Sequence, residues 1–379
     1  MIKNRLDIFC RIVDNYGDIG ILWRLSKQLC HEYQFTVRIW VDDLIVAARI
    51  INKLNPTLAD QIIEKIEIRQ WSNTVNFANI EVADIVIEGF ACELPEPYIS
   101  KMALSPPLWL NLEYLSAESW VNDFHKQVSI HPIHGLKKVF FFPGFNENTG
   151  GLIREQDLSA RRDSFKKNDT LQEEFWRKFN VTVLDKAIKV SLFSYPHAPI
   201  NSLLASMAQS SHAVHCFVPA TSILPSIANF ISKPTLTIGE TVVQDQLQIT
   251  VLPFLSQDDY DRLLWACDLN FVRGEDSWIR ALWAANPFVW QTYLQDEKLH
   301  LKKLAAFLAV YNANSLSNSA LTLSQFHEAW IDKEITSDLW NALLEKLPTL
   351  KKMAIIETQK FEKQTDLASK LVVCIRNQV

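Results

Sequence analysis

The feature that most constrains this chain is a repeated alternation of short apolar runs with amphipathic helical patterns, the mark of a parallel sheet with helical crossovers. Residues 6–13 (LDIFCRIV) read as a buried strand, and residues 19–33 as a helix carrying Leu22, Leu25 and Leu29 on one face. Residues 35–41, 84–88 (DIVIE), 107–111 (PLWLN) and 138–142 (KVFFF) read as further strands. A second alternating half starts at Lys189 (KVSLF) and continues through 212–218, 248–253, 268–273 and 287–293. From about Leu350 the pattern is helical. The stretch 146–185 between the halves is polar and charged, with RRDSFKKND at its centre, and reads as a solvated connection. A length of 379 residues suits two such domains, each with its own core.

Composition narrows the function classes. A net charge of −5 without a basic block argues against a dedicated nucleic-acid binder. Apolar runs fall short of the ~18 residues that span a bilayer, and no leader-like segment precedes the first strand. The expectation is a cytoplasmic protein with no membrane partner. Cys10, Cys30, Cys92, Cys216, Cys267 and Cys374 are scattered with no CxxC pair, so buried free thiols in a reducing compartment are expected. The twelve tryptophans read as core packing. No HxH or HExxH spacing occurs, and the DDYD run at 258–261 reads as the acidic first turn of a helix rather than a metal motif, so no metal is expected.

Two constellations carry chemistry. DNYGDIG (14–20) joins the first strand to the first helix, at the carboxyl edge where open parallel sheets bind ligands. Gly17 and Gly20 permit a tight turn and close approach of a ligand. Asp14 and Asp18 suit cleft carboxylates, although Asp18 would also serve as the N-cap of a helix starting at Ile19, and Asp14 as a brace of the turn. There is no GxGxxG fingerprint. The second constellation is DLNFVRGEDS (268–277), a strand, a glycine turn and a helix start. A helix N-terminus suits a diphosphate, Arg273 adds a charge-assisted donor, Ser277 a hydroxyl, and Glu275 an acceptor for a sugar hydroxyl. The bland alternative is a helix capped by Asp276 or Ser277. Phe193, Tyr195, Phe254 and Tyr293 lie near the same edge, where one could stack on a nucleobase.

Several strings together resemble the elongation factor P arginine rhamnosyltransferase family: DNYGDIG, FACELPE (90–96), LWLNLEYLSAE (108–118), FFPGF (141–145), GGLIRE (150–155), LPF with Gln257, RGEDSWIRA (273–281) and PFVWQTYLQDE (287–297). The resemblance covers most of the chain from Asp14 to Glu297. It implies an α/β fold of the GT-B type, two Rossmann-like domains facing each other across a cleft. The expected domains are 1–155, holding the acceptor and the catalytic aspartates, and 156–355, holding the nucleotide sugar, with 156–186 as connection. A terminal helix, 356–379, is expected to pack back on the first domain.

The resemblance further implies inverting transfer of L-rhamnose from dTDP-β-L-rhamnose to a guanidinium nitrogen of an arginine in elongation factor P, without cofactor or metal. Asp14 and Asp18 match the catalytic positions. Phe193, Tyr195, Phe254, Gln257 and Tyr293 match nucleotide contacts, and Arg273, Glu275, Asp276 and Ser277 the ribose and diphosphate site. Tyr16 and Gly17 are counted with the donor-binding residues. The chain departs from the pattern after Phe193, where Ser194-Tyr195-Pro196 replaces a Gly-Tyr-Arg type of sequence. The loops near 113–118 and 141–145 are the expected grip on the acceptor. The competing readings are a transferase of the same fold with a small-molecule or lipid-linked acceptor, and a non-catalytic binding protein. Retention of Asp14 and Asp18 beside RGEDS speaks against the latter.

Overall fold

The computed structural model describes residues 4–14, 16–72, 75–313 and 318–378. Contacts divide the chain into two units, Met1–Gln156 with Glu362–Val379, and Asp157–Phe361.

In chain order, the first unit contains β1 (Arg5–Cys10), α1 (Gly17–His31), β2 (Thr36–Val41), α2 (Leu44–Ile50), β3 (Asp60–Ile63), β4 (Ile66–Gln70), β5 (Ile85–Gly89), α3 (Glu96–Leu104), β6 (Leu108–Leu112), α4 (Val121–Phe124), β7 (Val128–Ile130) and β8 (Lys137–Phe141). The strands form one sheet in the order β3-β4-β2-β1-β5-β6-β8-β7. The six inner strands run parallel, and the short outer strands β3 and β7 pair antiparallel with β4 and β8. β1 is buried from Leu6 onward, as a strand covered on both faces must be. On one face Phe9 packs among Trp40, Trp71 and Tyr98, with ring centroids 4.9–5.6 Å apart. α1 is anchored by Arg24, fully buried, whose guanidinium meets Glu155 at 2.7 Å.

The second unit opens with α5 (Leu158–Lys167) and α6 (Asp169–Lys178), so the charged stretch expected as a connection carries two helices of this unit. Their apolar sides decide this: Phe165 and Phe175 are buried, and Phe165 lies 5.7 Å from Trp265. β9 (Ile188–Leu192), α7 (Ile200–Ala208), β10 (Val214–Pro219), α8 (Leu224–Phe230), β11 (Thr241–Gln244), β12 (Leu247–Leu252), α9 (Gln257–Ala266), β13 (Leu269–Arg273), α10 (Asp276–Trp283) and β14 (Phe288–Gln291) follow. The sheet order is β11-β12-β10-β9-β13-β14, parallel except for β11. α11 (Leu299–Tyr311), α12 (Asn318–Asp332) and α13 (Ser337–Glu362) complete it. α14 (Leu367–Gln378) belongs to the first unit, where the Tyr33 and Ser369 hydroxyls share a 2.7 Å hydrogen bond.

All the tryptophans except Trp120 are buried, and Trp278 stacks on Trp290 at 3.7 Å. All six cysteines are free and buried. Helix and strand centres fall where the alternation puts them, but α1 begins at Gly17, two residues before the expected start.

Gly89 ends β5 where the next strand and α1 close in. A Cβ there would lie 2.5 Å from Leu22 Cδ1 and 2.8 Å from the Phe9 carbonyl oxygen. The carbonyl belongs to a central strand and cannot step aside. Gly89→Ala is expected to lower unfolding free energy by about 1–3 kcal/mol, the usual cost of overpacking, read from the urea midpoint of the first unit's transition. An unchanged midpoint would show that the sheet edge yields.

Candidate functional site

In a parallel sheet every strand delivers its carboxyl end to the same edge, so the loops after β1, β2, β5 and β6 gather there in the first unit. Asp18, only 2% exposed, lies in the first turn of α1. Its Oδ2 accepts from the Val13 and Asp14 backbone N–H groups at 2.7 and 2.9 Å, and the Tyr114 hydroxyl donates to Oδ1 at 3.1 Å. The capping alternative is therefore corrected: the helix starts at Gly17, Tyr16 occupies the cap position, and Asp18 reaches backward to tie down the loop. Burial pushes the Asp18 pKa up, against the pull of these three donors, and the Asp42 charge adds to the rise.

Asp14 is half-buried, and its carbonyl accepts from the Gly17 N–H at 2.8 Å. The Tyr16 hydroxyl accepts from Arg49 at 3.2 Å. Asn15 lies outside the described residues. Tyr16 and Gly17 thus share the first unit with Asp14 and Asp18, apart from the remaining expected donor residues in the second.

Two residues that the motif reading did not single out complete this edge. Tyr114 carries the bond to Asp18, and Phe90 stacks on its ring at 4.4 Å with the planes 12° apart. Phe90, Ala91 and Glu93 all have left-handed backbone (φ 56°, 51° and 58°). Such strain persists where the surroundings over-determine it, here through the Phe90 N–H on the Leu112 carbonyl at 2.7 Å and the Ala91 N–H on Asn111 Oδ1 at 3.1 Å. The signal was present only in the FACELPE and LWLNLEYLSAE strings and, for Tyr114, in the 113–118 loop expected to grip the acceptor. Beside Tyr114, Glu113 has its pKa raised by burial.

In the second unit the edge is cationic and aromatic. β13 ends at Arg273, which is 7% exposed. Its guanidinium carbon sits 4.6 Å from the ring centroids of both Phe193 and Tyr195. One terminal nitrogen donates to the Ser194 carbonyl at 3.3 Å. Tyr293, half exposed, meets Tyr195 edge-on at 5.8 Å, and His197 stacks on Tyr195 at 5.5 Å. Gly274 turns the chain with φ +60°, a left-handed position that suits glycine.

The helix that follows is held from inside. Ser277 Oγ accepts from the Arg273 N–H at 3.0 Å and donates to the Arg273 carbonyl, so this hydroxyl, expected to face the diphosphate, is engaged by the strand end. Asp276 is not the cap either; it accepts from Arg280 at 2.8 Å and from Gln257 Nε2 at 3.3 Å. Arg280, 3% exposed, also pairs with Asp261 at 2.9 Å. Glu275 takes the cap position without a side-chain cap bond. Phe254 is half-buried in the loop joining β12 to α9, and Gln257 is the first residue of α9. The DDYD run is indeed the start of a helix, with the Ser256 hydroxyl accepting from the Asp259 N–H. Asp259 pairs with Lys178 and Arg262. Among the described residues no group of three or more His, Cys, Asp or Glu side chains is arranged to hold a metal.

Buried polar atoms without a partner are rare in folded proteins. Three adjoin Arg273 in sequence or sheet register: Ser194 Oγ, Gln291 Nε2 and Thr292 Oγ1, each on a residue no more than 2% exposed. A strand-end cluster of one stacked guanidinium and several unmet donors suits a polyanionic ligand.

Two doubly wound units with a carboxylate edge in one and a cationic, aromatic edge in the other define a glycosyltransferase of the GT-B type. The MurG structure from Acinetobacter baumannii shares this fold, with a TM-score of 0.51 at 13% identity over 99% of both chains. The model of the family described as "Elongation-Factor P (EF-P) rhamnosyltransferase EarP" matches residues 6–376, and the chain belongs to that family. Protein-arginine rhamnosyltransferases of Pseudomonas putida and Pseudomonas aeruginosa are 40% identical over 100% of both chains and 42% identical over 97% of both. A solved structure reporting the structural basis for EarP-mediated arginine glycosylation of translation elongation factor EF-P matches with a TM-score of 0.72 at 30% identity, covering 99% of each chain. The protein is an enzyme that rhamnosylates arginine in a protein acceptor. The binding-protein alternative falls away.

Gly17 tests how tightly the aspartate loop is set. A Cβ there would approach Asp14 Oδ2 to 3.1 Å, while the helix that starts at this residue would gain from alanine. Gly17→Ala is expected to hold or raise the melting temperature and still slow arginine rhamnosylation by about tenfold, a loss of about 1.4 kcal/mol in the transition state. Full activity in this variant would show that the Asp14 carboxylate is not held in place by the missing side chain.

Proposed function

We propose that the enzyme transfers L-rhamnose from dTDP-β-L-rhamnose to a guanidinium nitrogen of an arginine in translation elongation factor P, with inversion at the sugar carbon. The observation that carries this reading is the division of chemistry between the units: acceptor-type carboxylates at one sheet edge, anion-type donors and aromatic rings at the other. Asp14 and Asp18 act on the arginine. A guanidinium arrives protonated, with a pKa above about 12, and is a poor nucleophile. Its planar fork of donors matches carboxylates. One aspartate orients it while the other takes the proton as the guanidinium nitrogen bonds to the sugar carbon. The carbon–oxygen bond to the phosphate breaks, and dTDP leaves with that electron pair.

In this reading Arg273 and the start of α10 carry the diphosphate charge without a metal. Phe193, Tyr195, Phe254, Gln257 and Tyr293 hold the nucleotide, Glu275 and Asp276 bind sugar hydroxyls, and Tyr16 and Gly17 border the donor from the aspartate loop. Ser277 acts indirectly, by fixing the Arg273 backbone. The reading places the enzyme in the cytoplasm, which suits its six free thiols. The match to protein-arginine rhamnosyltransferases supports a protein acceptor over a small molecule or lipid carrier.

The two clusters are expected to fail differently. Asp14→Asn and Asp18→Asn should slow single-turnover transfer to elongation factor P by about 10²–10⁴-fold, the usual cost of a lost general base, with dTDP affinity within a few-fold. Arg273→Ala and Glu275→Ala should weaken dTDP-rhamnose binding by about ten- to a hundredfold, as expected for a lost hydrogen bond to a charged group. The measurements are quenched-flow transfer and calorimetry, both in EDTA. Aspartate variants that lose dTDP as badly as the Arg273 variant would assign the carboxylates to the donor, and loss of wild-type transfer in EDTA would overturn the metal-free step.

Asp18 also fixes a pH limb. In either role, orienting the guanidinium or taking its proton, Asp18 must be ionised, and burial holds its pKa above the ordinary value of about 3.9. The transfer rate should therefore fall on acidification at a pH above that value, and Asp18→Asn should abolish the limb. A limb that survives in Asp18→Asn would give the titration to another group.

A further inference from the structure

Gln291 closes β14 and is 1% exposed. Its Oε1 accepts from the Tyr195 N–H at 2.8 Å. That bond settles which end of the carboxamide is which, because only the oxygen can accept. The amide nitrogen, with its two protons, is thereby turned to the other side, where it meets no partner. An unmet buried donor is costly, and sites where one is retained call for an explanation. In the sheet Gln291 lies opposite Arg273, whose guanidinium is stacked against Tyr195, the residue that orients the carboxamide. The next residue, Thr292, and Ser194 before Tyr195 also carry buried hydroxyls without partners. A single packing defect does not produce three unmet polar groups on the ends of two strands beside a cation.

We propose that the Gln291 carboxamide is a second donor to the diphosphate of the nucleotide sugar, with Tyr195 acting through its backbone as the residue that aims it. This rests on the donor-site reading above and deepens it. The division of labour follows from the geometry. Arg273 supplies charge, and Gln291 supplies direction, because its amide is fixed by the bond from the Tyr195 N–H.

The test uses Gln291→Glu, which keeps an oxygen to accept the Tyr195 N–H and replaces the donating NH2 with a second oxygen. With the full-length enzyme, dTDP affinity is expected to fall at least a hundredfold near pH 8, where the carboxylate faces the diphosphate. Lowering the pH should restore much of this, because a protonated glutamate donates again, while wild-type affinity changes little over the same range. Gln291→Met, which cannot donate at any pH, should weaken dTDP without recovery on acidification. Thymidine, which lacks phosphate, should bind all three proteins alike. Equal dTDP affinity in wild type and Gln291→Glu at pH 8 would overturn the proposal, as would a parallel loss of thymidine binding, which would place the amide on the base. Arg273→Ala keeps the two readings apart. Undiminished dTDP binding in that variant would sink the donor-site reading itself, whereas its loss alongside an unaffected Gln291→Glu would sink only the role of the carboxamide.

Discussion

Everything specific in this molecule hangs on the direction of its strands. A parallel sheet cannot turn back on itself by hairpins, so each strand needs a crossover, and each crossover begins at the same edge. In the first unit that edge collects the loops bearing Asp14, Asp18, Phe90 and Tyr114. In the second it collects Phe193, Tyr195, Arg273, Gln291 and Tyr293. Residues from distant parts of the sequence meet because backbone hydrogen bonding leaves the chain no other place to put its turns. The first sheet is bordered on both edges, and the second on one, by a short antiparallel strand that ends the hydrogen-bonding ladder.

The two edges solve different electrostatic problems. The first must keep a carboxylate buried without neutralising it. Asp18 receives two backbone N–H groups and a tyrosine hydroxyl, while burial and Asp42 push the other way. The result is a basic carboxylate that is fixed in space, a combination that neither full solvation nor a salt bridge would give. The second edge must keep a cation ready for an anion. Among the described residues Arg273 meets rings on its faces and a carbonyl on its edge rather than a carboxylate. The carboxylates of the same region, Asp261 and Asp276, are taken up by Arg280 one turn into the helix. Arg280 thereby keeps negative charge off the strand end.

The central strands were legible in the sequence because burial on both faces writes a nearly continuous apolar run, broken here only by the buried Asp7, Glu88 and Gln291. LDIFC, IVIEG and FVWQ are of this kind. The β3–β4 hairpin was not legible. Its turn is Glu64-Lys65, both left-handed (φ 50° and 65°), whereas the readable signal for such a turn is Asn-Gly or Asp-Gly. The start of α1 was missed for a related reason: Asp18 looks like a cap by type, yet its bonds run to Val13 and Asp14, a choice made by the loop's fold rather than by local spacing. At the candidate site, charged residues in glycine turns drew attention, while Phe90, Tyr114 and Gln291 did not. An aromatic pair or an amide gains meaning only from what it faces, and pairs such as Phe90 with Tyr114, twenty-four positions apart, exist only once β5 and β6 lie side by side.

The buried thiols give the molecule a built-in clock. Cys10, Cys30, Cys92 and Cys374 belong to one unit and Cys216 and Cys267 to the other, and all six are buried. An alkylating reagent therefore reaches them only when the surrounding packing opens. With fast reagent, the rate of labelling is the rate of opening; with slow reagent, it is the intrinsic reaction rate scaled by the population of the open form. Peptide mapping of the labelled sulfurs would then time the breathing of each unit separately in one tube, with no probe added to the chain.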